Sequence, residues 1–200
     1  MTLQTRPVTP DDLPHLLALN NAAVPAVNEL DESALSAILA VAHASIAVVD
    51  ATGAEPPAPA PALAAAPTAA PAAAPAAESP AAAPAALAPA LGFVVTLAPG
   101  ADYQSENYTW FQSRSHDFLY VDRIVVSEGA RDKGVGRLLY TAVFDEARAL
   151  GAAEVFCEVN LEPPNPGSLR FHYRLGFEEV GQQATKGGEV LVSLLAAPVL

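Results

Sequence analysis

Residues 120–137 read Tyr120-Val-Asp-Arg-Ile-Val-Val126, Ser127-Glu-Gly-Ala130, then Arg131-Asp-Lys-Gly134-Val-Gly136-Arg137. The β-branched run predicts a strand, the Gly-containing turn ends it, and Leu138, Leu139, Ala142 and Val143 recur at helical spacing. A strand, a tight loop and a helix follow in that order. Gly134 and Gly136 let the backbone pass close to a bound group. The free N–H groups of the first helical turn face that group, a setting that favours a diphosphate. Arg131, Lys133 and Arg137 add cationic charge to the same loop. Two glycines alone also fit a plain left-handed turn before a helix, so the wider pattern decides.

A phosphate-binding Walker loop would end in Gly-Lys followed by Ser or Thr, and a dinucleotide fingerprint would carry a third Gly three residues after the second. Neither is present. With Val126 five residues before Arg131, and Arg131 three before Gly134-Val135-Gly136, the stretch resembles the acetyl-CoA loop of the GNAT superfamily of N-acetyltransferases. The resemblance implies that Arg131, Asp132, Lys133, Gly134, Val135, Gly136 and Arg137 cradle the cofactor, acetyl-CoA. It also implies that backbone groups of Ile124, Val125 and Val126 pair with the pantetheine amides.

Composition bounds the alternatives. With 200 residues, 52% of them hydrophobic, the chain can bury one sizeable core, and a single domain over 1–200 is expected. A formal charge of −12 argues against nucleic acid, whose affinity rests on Lys and Arg neutralising phosphates. That charge suits a cationic amine, although solubility explains it equally well. Cys157 is the lone cysteine, which excludes an internal disulfide and a cysteine-based metal site, and no metal is expected. The first residues hold no apolar segment of signal-peptide length, so a cytoplasmic protein is expected. From 54 to 90 the chain is almost wholly Ala and Pro. Pro67, Pro71, Pro75, Pro80, Pro84 and Pro89 would break a helix crossing lipid, so no membrane segment is expected. With few large apolar groups to offset ordering entropy, the tract reads as an insert loop of coil and polyproline II.

In chain order, Leu3 to Val8 predicts a first strand, and Thr9-Pro10-Asp11-Asp12 opens a helix ending near Asn21 with a Leu13, Leu16, Leu17, Asn20 stripe. His15 lies off that stripe. A second helix spans Ser33 to Ala42, and strands follow at Ser45 to Asp50 and Leu91 to Leu97. Asp102 to Phe111 reads as a polar, aromatic loop, in which Tyr103, Asn107, Tyr108 and Trp110 are candidate substrate contacts. The fourth strand, Phe118 to Val126, leads through the cradle to a third helix ending near Leu150, and Glu154 to Asn160 is the fifth strand. That order predicts a parallel pair through a right-handed crossover. A final hairpin turns at Lys186-Gly187-Gly188.

Asn165-Pro166-Gly-Ser168-Leu-Arg-Phe171-His172-Tyr173-Arg-Leu-Gly176-Phe177 extends the resemblance. Superfamily members commonly place a tyrosine four residues before this glycine, where it donates a proton to the departing thiolate. Here that slot holds His172, as in phosphinothricin-type acetyltransferases, while Tyr173 lies about 100° around the helix. The implied fold is α/β and GNAT-type: a mixed, mostly antiparallel sheet whose parallel fourth and fifth strands splay for CoA, flanked by about four helices. The implied activity is direct acetyl transfer to the primary amine of a small molecule in a ternary complex. His172 is the expected acid, and Glu106, Asp122 and Glu158 are candidate bases. Asn160, Asn165 and Ser168 are expected at the cofactor. Two other functions remain open: an acyl-CoA-binding module without turnover, and transfer to a protein N-terminus. A homodimer also remains open.

Overall fold

The computed structural model describes residues 1–52 and 88–200. Most of the Ala/Pro tract, and the expectation placed on it, lies outside the described residues. The last alanine of that tract, Ala90, already belongs to a strand.

Among the described residues seven strands form one sheet: β1 (Leu3–Pro7), β2 (Ala44–Asp50), β3 (Ala90–Leu97), β4 (Phe118–Val126), β5 (Glu154–Glu162), β6 (Glu178–Thr185) and β7 (Val190–Pro198). Their order across the sheet is β1-β2-β3-β4-β5-β7-β6, and every pairing is antiparallel except β4 with β5. Among the described residues five α-helices flank it: α1 (Leu13–Ala22), α2 (Glu32–Val41), α3 (Glu106–Arg114), α4 (Val135–Leu150) and α5 (Pro166–Arg174). Among the described residues no helix is long and apolar enough to cross a membrane.

The sheet is buried on both faces, as an interior parallel pair requires. On one face Leu139, Tyr140, Val143 and Ala147 of α4 pack with Leu119, Val121, Val155 and Cys157. On the other, Leu16 of α1 and Leu35 and Ile38 of α2 cover Phe93, Val95 and Val125. Beside them, Tyr108 and Phe111 of α3 cover Phe118, Tyr120 and Phe156.

Helix α3 replaces the expected loop at its centre. Ser105 is its N-cap, accepting from the Tyr108 amide, Glu106 stands in the first turn and Arg114 in the last, so both ends suit the helix dipole. Phe111 stacks on Phe156 with centroids 4.5 Å apart and planes 15° from parallel. Burial of each such ring contributes about 1.5–3 kcal/mol, which outweighs the polar look of the segment. This corrects the substrate role given to Tyr108. It is 1% exposed, and its hydroxyl is spent on the Ala98 carbonyl at 2.6 Å. Trp110 is corrected too, since it packs over Gly181, whose Cβ would meet the indole at 3.0 Å.

Two features of β4 open the sheet. Its parallel pairing with β5 covers only Phe118↔Glu154, Leu119↔Val155 and Tyr120↔Phe156, and beyond these the two strands share no paired residue. Against β3 the register slips, so that Val95 faces Arg123 and Thr96 faces Val121, leaving Asp122 as the extra residue of a β-bulge. The bulge bends the strand where the gap begins and lets neighbouring Asp122 and Arg123 meet.

Candidate active site

A cleft of about 1070 Å³ runs through the gap between β4 and β5. Residues Val121 to Val126 line one wall and Cys157 to Asn160 the other. Its first end lies under α4 and α5, and its second end under the loop between α1 and α2, the start of α3 and the β6–β7 turn.

At the first end the loop before α4 is built as a cradle. Gly134 caps α4 with φ +88, a left-handed conformation that costs an L side chain roughly 1–2 kcal/mol. The amides of the first turn have no helical acceptors and point out of the helix end. Arg131, Asp132, Gly134, Gly136 and Arg137 all border the cleft. Lys133 does not, and Val135 is 1% exposed in the core beneath, so its expected ligand role is corrected to packing. Gly136 has a reason the sequence did not disclose: a Cβ there would stand 3.1 Å from the Phe171 ring of α5. Its missing side chain lets α5 close against α4.

Asn165 and Ser168 border the cleft, but the Asn165 side chain is occupied as N-cap of α5, accepting from the Ser168 amide at 3.2 Å. Asn160 is also engaged elsewhere. Its Nδ2 donates to the Pro25 carbonyl at 2.9 Å, tying β5 to the loop between α1 and α2. The expected cofactor contact from the Asn160 side chain is therefore corrected to a strap across the cleft mouth.

His172 is 2% exposed. Its Nδ1 stands 2.8 Å from the Ser168 carbonyl, which can only accept, so Nδ1 carries the proton. Burial holds the imidazole pKa below its ordinary value, with the Ser168 carbonyl opposing, and the neutral ring presents a bare Nε2. The Tyr140 hydroxyl, 2.6 Å away, donates to it. Hence His172 has no proton facing the cleft, and the expected acid role is corrected to alignment of Tyr140. Burial pushes the Tyr140 phenol well above its usual range and does the same for the neighbouring Cys157 thiol. Both stay neutral.

At the second end, Asp122 accepts from the Tyr103 hydroxyl at 2.5 Å and from Arg123 Nε at 2.6 Å. Taking a proton would break its buried ion pair with Arg123, which corrects its candidacy as base. Glu158 differs. Its oxygens accept from the Tyr120 hydroxyl at 2.8 and 3.0 Å, and its pKa is pushed up to about 8. Burial is the main cause and the Asp122 charge the second, partly offset by the hydrogen bonds from Tyr120 and Asn107. Asn107, 9% exposed, is held by Gln183 Nε2 at 3.1 Å. Glu106 sits exposed at the rim, where it accepts from the Lys186 amide at 3.1 Å. That position, away from the gap, corrects its candidacy as base. Tyr103 and Asn107 do line the cleft.

Comparison with known proteins agrees with this geometry. Residues 92–177, from β3 through α5, match the acetyltransferase (GNAT) family. Over those residues the chain is similar to that family. A stretch of 59 residues is 39% identical to phosphinothricin N-acetyltransferase of Streptomyces coelicolor, covering 29% of this chain and 33% of that one. The match thus spans about a third of the curated relative. Among solved structures, Ard1 of Thermoplasma volcanium superposes with TM-score 0.68 at 13% identity, over 100% of this chain and 99% of that one. The yncA protein of Salmonella typhimurium, solved with acetyl-CoA, gives 0.62 at 14%, over 100% and 95%. At such identities the likeness is one of fold.

Proposed function

We propose that the protein is an acetyl-CoA-dependent N-acetyltransferase that acts on the primary amine of a small molecule by direct transfer. One observation carries this reading: a partly buried carboxylate, Glu158, shifted to about 8, stands in the gap between β4 and β5, where the resemblance to GNAT acetyltransferases implies an acyl-CoA. A base is most effective when its pKa lies near the working pH, and burial has moved Glu158 there.

The cradle fits the cofactor, because Gly134 and Gly136 keep the α4 N-terminus bare and Arg131 and Arg137 stand beside it. When bound there, acetyl-CoA would supply the activated acyl group. The chain's own residues supply the rest. The unpaired edge of β4 from Val121 to Val126 offers backbone donors and acceptors along the gap. Glu158 takes a proton from the incoming ammonium, and Tyr120 holds the carboxylate in place with bonds to both oxygens. Tyr140, kept neutral by burial, reaches the departing sulfur by turning its one hydroxyl proton away from His172 Nε2, which sets its resting position from behind.

The second end is walled by the Pro25–Asn160 strap and by the Asn107–Gln183 and Glu106–Lys186 contacts that join α3 to the β6–β7 hairpin. Those walls favour a small amine over an extended peptide. Incubation with acetyl-CoA and a panel of primary amines, read by mass spectrometry of the amines, tests the reading. Acetylated product from the wild type, lowered about 10²–10⁴-fold in Glu158→Gln, is the expected result. No calorimetric binding of CoA at millimolar concentration would sink it.

A further inference from the structure

The second end of the cleft presents four carboxylates, Glu29, Glu106, Asp122 and Glu158, and two cations, Arg123 and Lys186. Arg123 is not free to hold an anion. Its side chain is 3% exposed, Nε donates to Asp122, and Nη1 donates to Asn20 Oδ1 at 2.9 Å, so the Asp122–Arg123 pair is neutral within itself. Lys186 stands exposed at the same rim as the exposed Glu29 and Glu106 and offsets one of their two charges. The excess is therefore two negative charges, Glu158 inside when ionised and one at the rim, where Glu29 and Glu106 outnumber Lys186. A carboxylate brought in beside the reacting nitrogen would face like charge with no unpaired buried cation to receive it.

Resting on the N-acetyltransferase reading above, we infer that the acceptor is a primary amine bearing a second cationic group and no carboxylate, a diamine or polyamine-type cation. One ammonium reaches Glu158 and gives up its proton. The other stays charged at the rim with Glu29 and Glu106. Two positive charges match the excess of two carboxylates, whereas a zwitterionic amino acid leaves that excess unmatched.

Three acceptors of equal chain length separate the cases: 1,4-diaminobutane, butylamine and 4-aminobutanoate, each assayed with acetyl-CoA for kcat/KM. The diamine should exceed 4-aminobutanoate by at least about tenfold, with butylamine between, since each 1.4 kcal/mol of charge interaction is a factor of ten. In the double variant Glu29→Gln with Glu106→Gln the diamine-to-butylamine ratio should fall toward one. A retained melting shift with acetyl-CoA shows that this variant is folded. Equal or faster turnover of 4-aminobutanoate overturns the inference and leaves the acetyltransferase reading standing. An unchanged ratio in the folded double variant overturns the rim assignment. Turnover of none of the three, with acetyl-CoA bound, removes the small-amine reading and this inference together.

Discussion

The Tyr140 hydroxyl stands 2.6 Å from Nε2 of His172, and the direction of that hydrogen bond is fixed by the Ser168 carbonyl on the far side of the ring. A histidine arranged this way orients a phenol and has no proton of its own to offer. Tyr140→Phe should therefore lower kcat by about 10²–10³-fold, within the range of a lost acid or donor. His172→Ala should lower it less, because the hydroxyl remains. The double variant should be no worse than Tyr140→Phe alone, since the two act as one unit. Tyr173→Phe, changed at a side chain 48% exposed, should leave kcat within about twofold. A double variant showing fully multiplicative losses would separate the two residues' roles.

The pH profile follows from Glu158. The base must be ionised to take a proton, and its pKa of about 8 means that kcat/KM rises as pH increases through that value. The hydrogen bond from Tyr120 lowers that pKa, so its removal in Tyr120→Phe should move the inflection to higher pH. Glu158→Gln should abolish the inflection altogether. A Tyr120→Phe profile displaced to lower pH would show that another group titrates.

Much of this site was legible beforehand. The cradle, β4 and the parallel crossover announce themselves through local chemistry: β-branched runs and a helix start after glycine. What stayed hidden depends on contacts distant in sequence. The bulge that isolates Asp122 is a property of β4 against β3, and the choice of Glu158 over Asp122 rests on Tyr103 and Arg123 already holding the latter. Helix α3 did leave a signal. Ser105 followed by Glu106, apolar Tyr108 and Phe111 three apart, and Arg114 at the end form a start, a stripe and a stop. Its short length and polar outer face obscured them.

Gly136 supplies a test of the cradle as a packing device. A Cβ at this position meets Phe171 at 3.1 Å, so Gly136→Ala should push α5 from α4 and weaken CoA binding. About a tenfold loss of affinity is expected, the ordinary cost of misplacing a preorganised site by 1–2 kcal/mol. Phe171→Leu in the same chain should restore part of it by giving the methyl room. Gly134→Ala, strained by its φ of +88 with open space around it, should not be rescued by the Phe171 change. Rescue of both glycine variants alike would show that the ring contact is not the cause. Calorimetric titration with CoA measures all four.

The strap across the cleft mouth gives the last prediction. The loop between α1 and α2 is tied at its tip by Asn160 to Pro25, and at its base by Asn20 Nδ2 to the Asn28 carbonyl at 2.9 Å, while Arg123 grips Asn20 from β4. The base bonds lie partly or wholly buried, and the tip bond is exposed, so the tip should open first. Asn160→Ala removes the tip bond and costs the fold little, because one exposed hydrogen bond contributes only about 0.5–1.5 kcal/mol. Amide exchange should speed up over residues 23–28 and stay unchanged in α1. The Michaelis constant for the amine should rise severalfold as its enclosure loosens, with CoA affinity near the wild-type value. If the CoA affinity falls and the amine constant does not, Asn160 serves the cofactor after all.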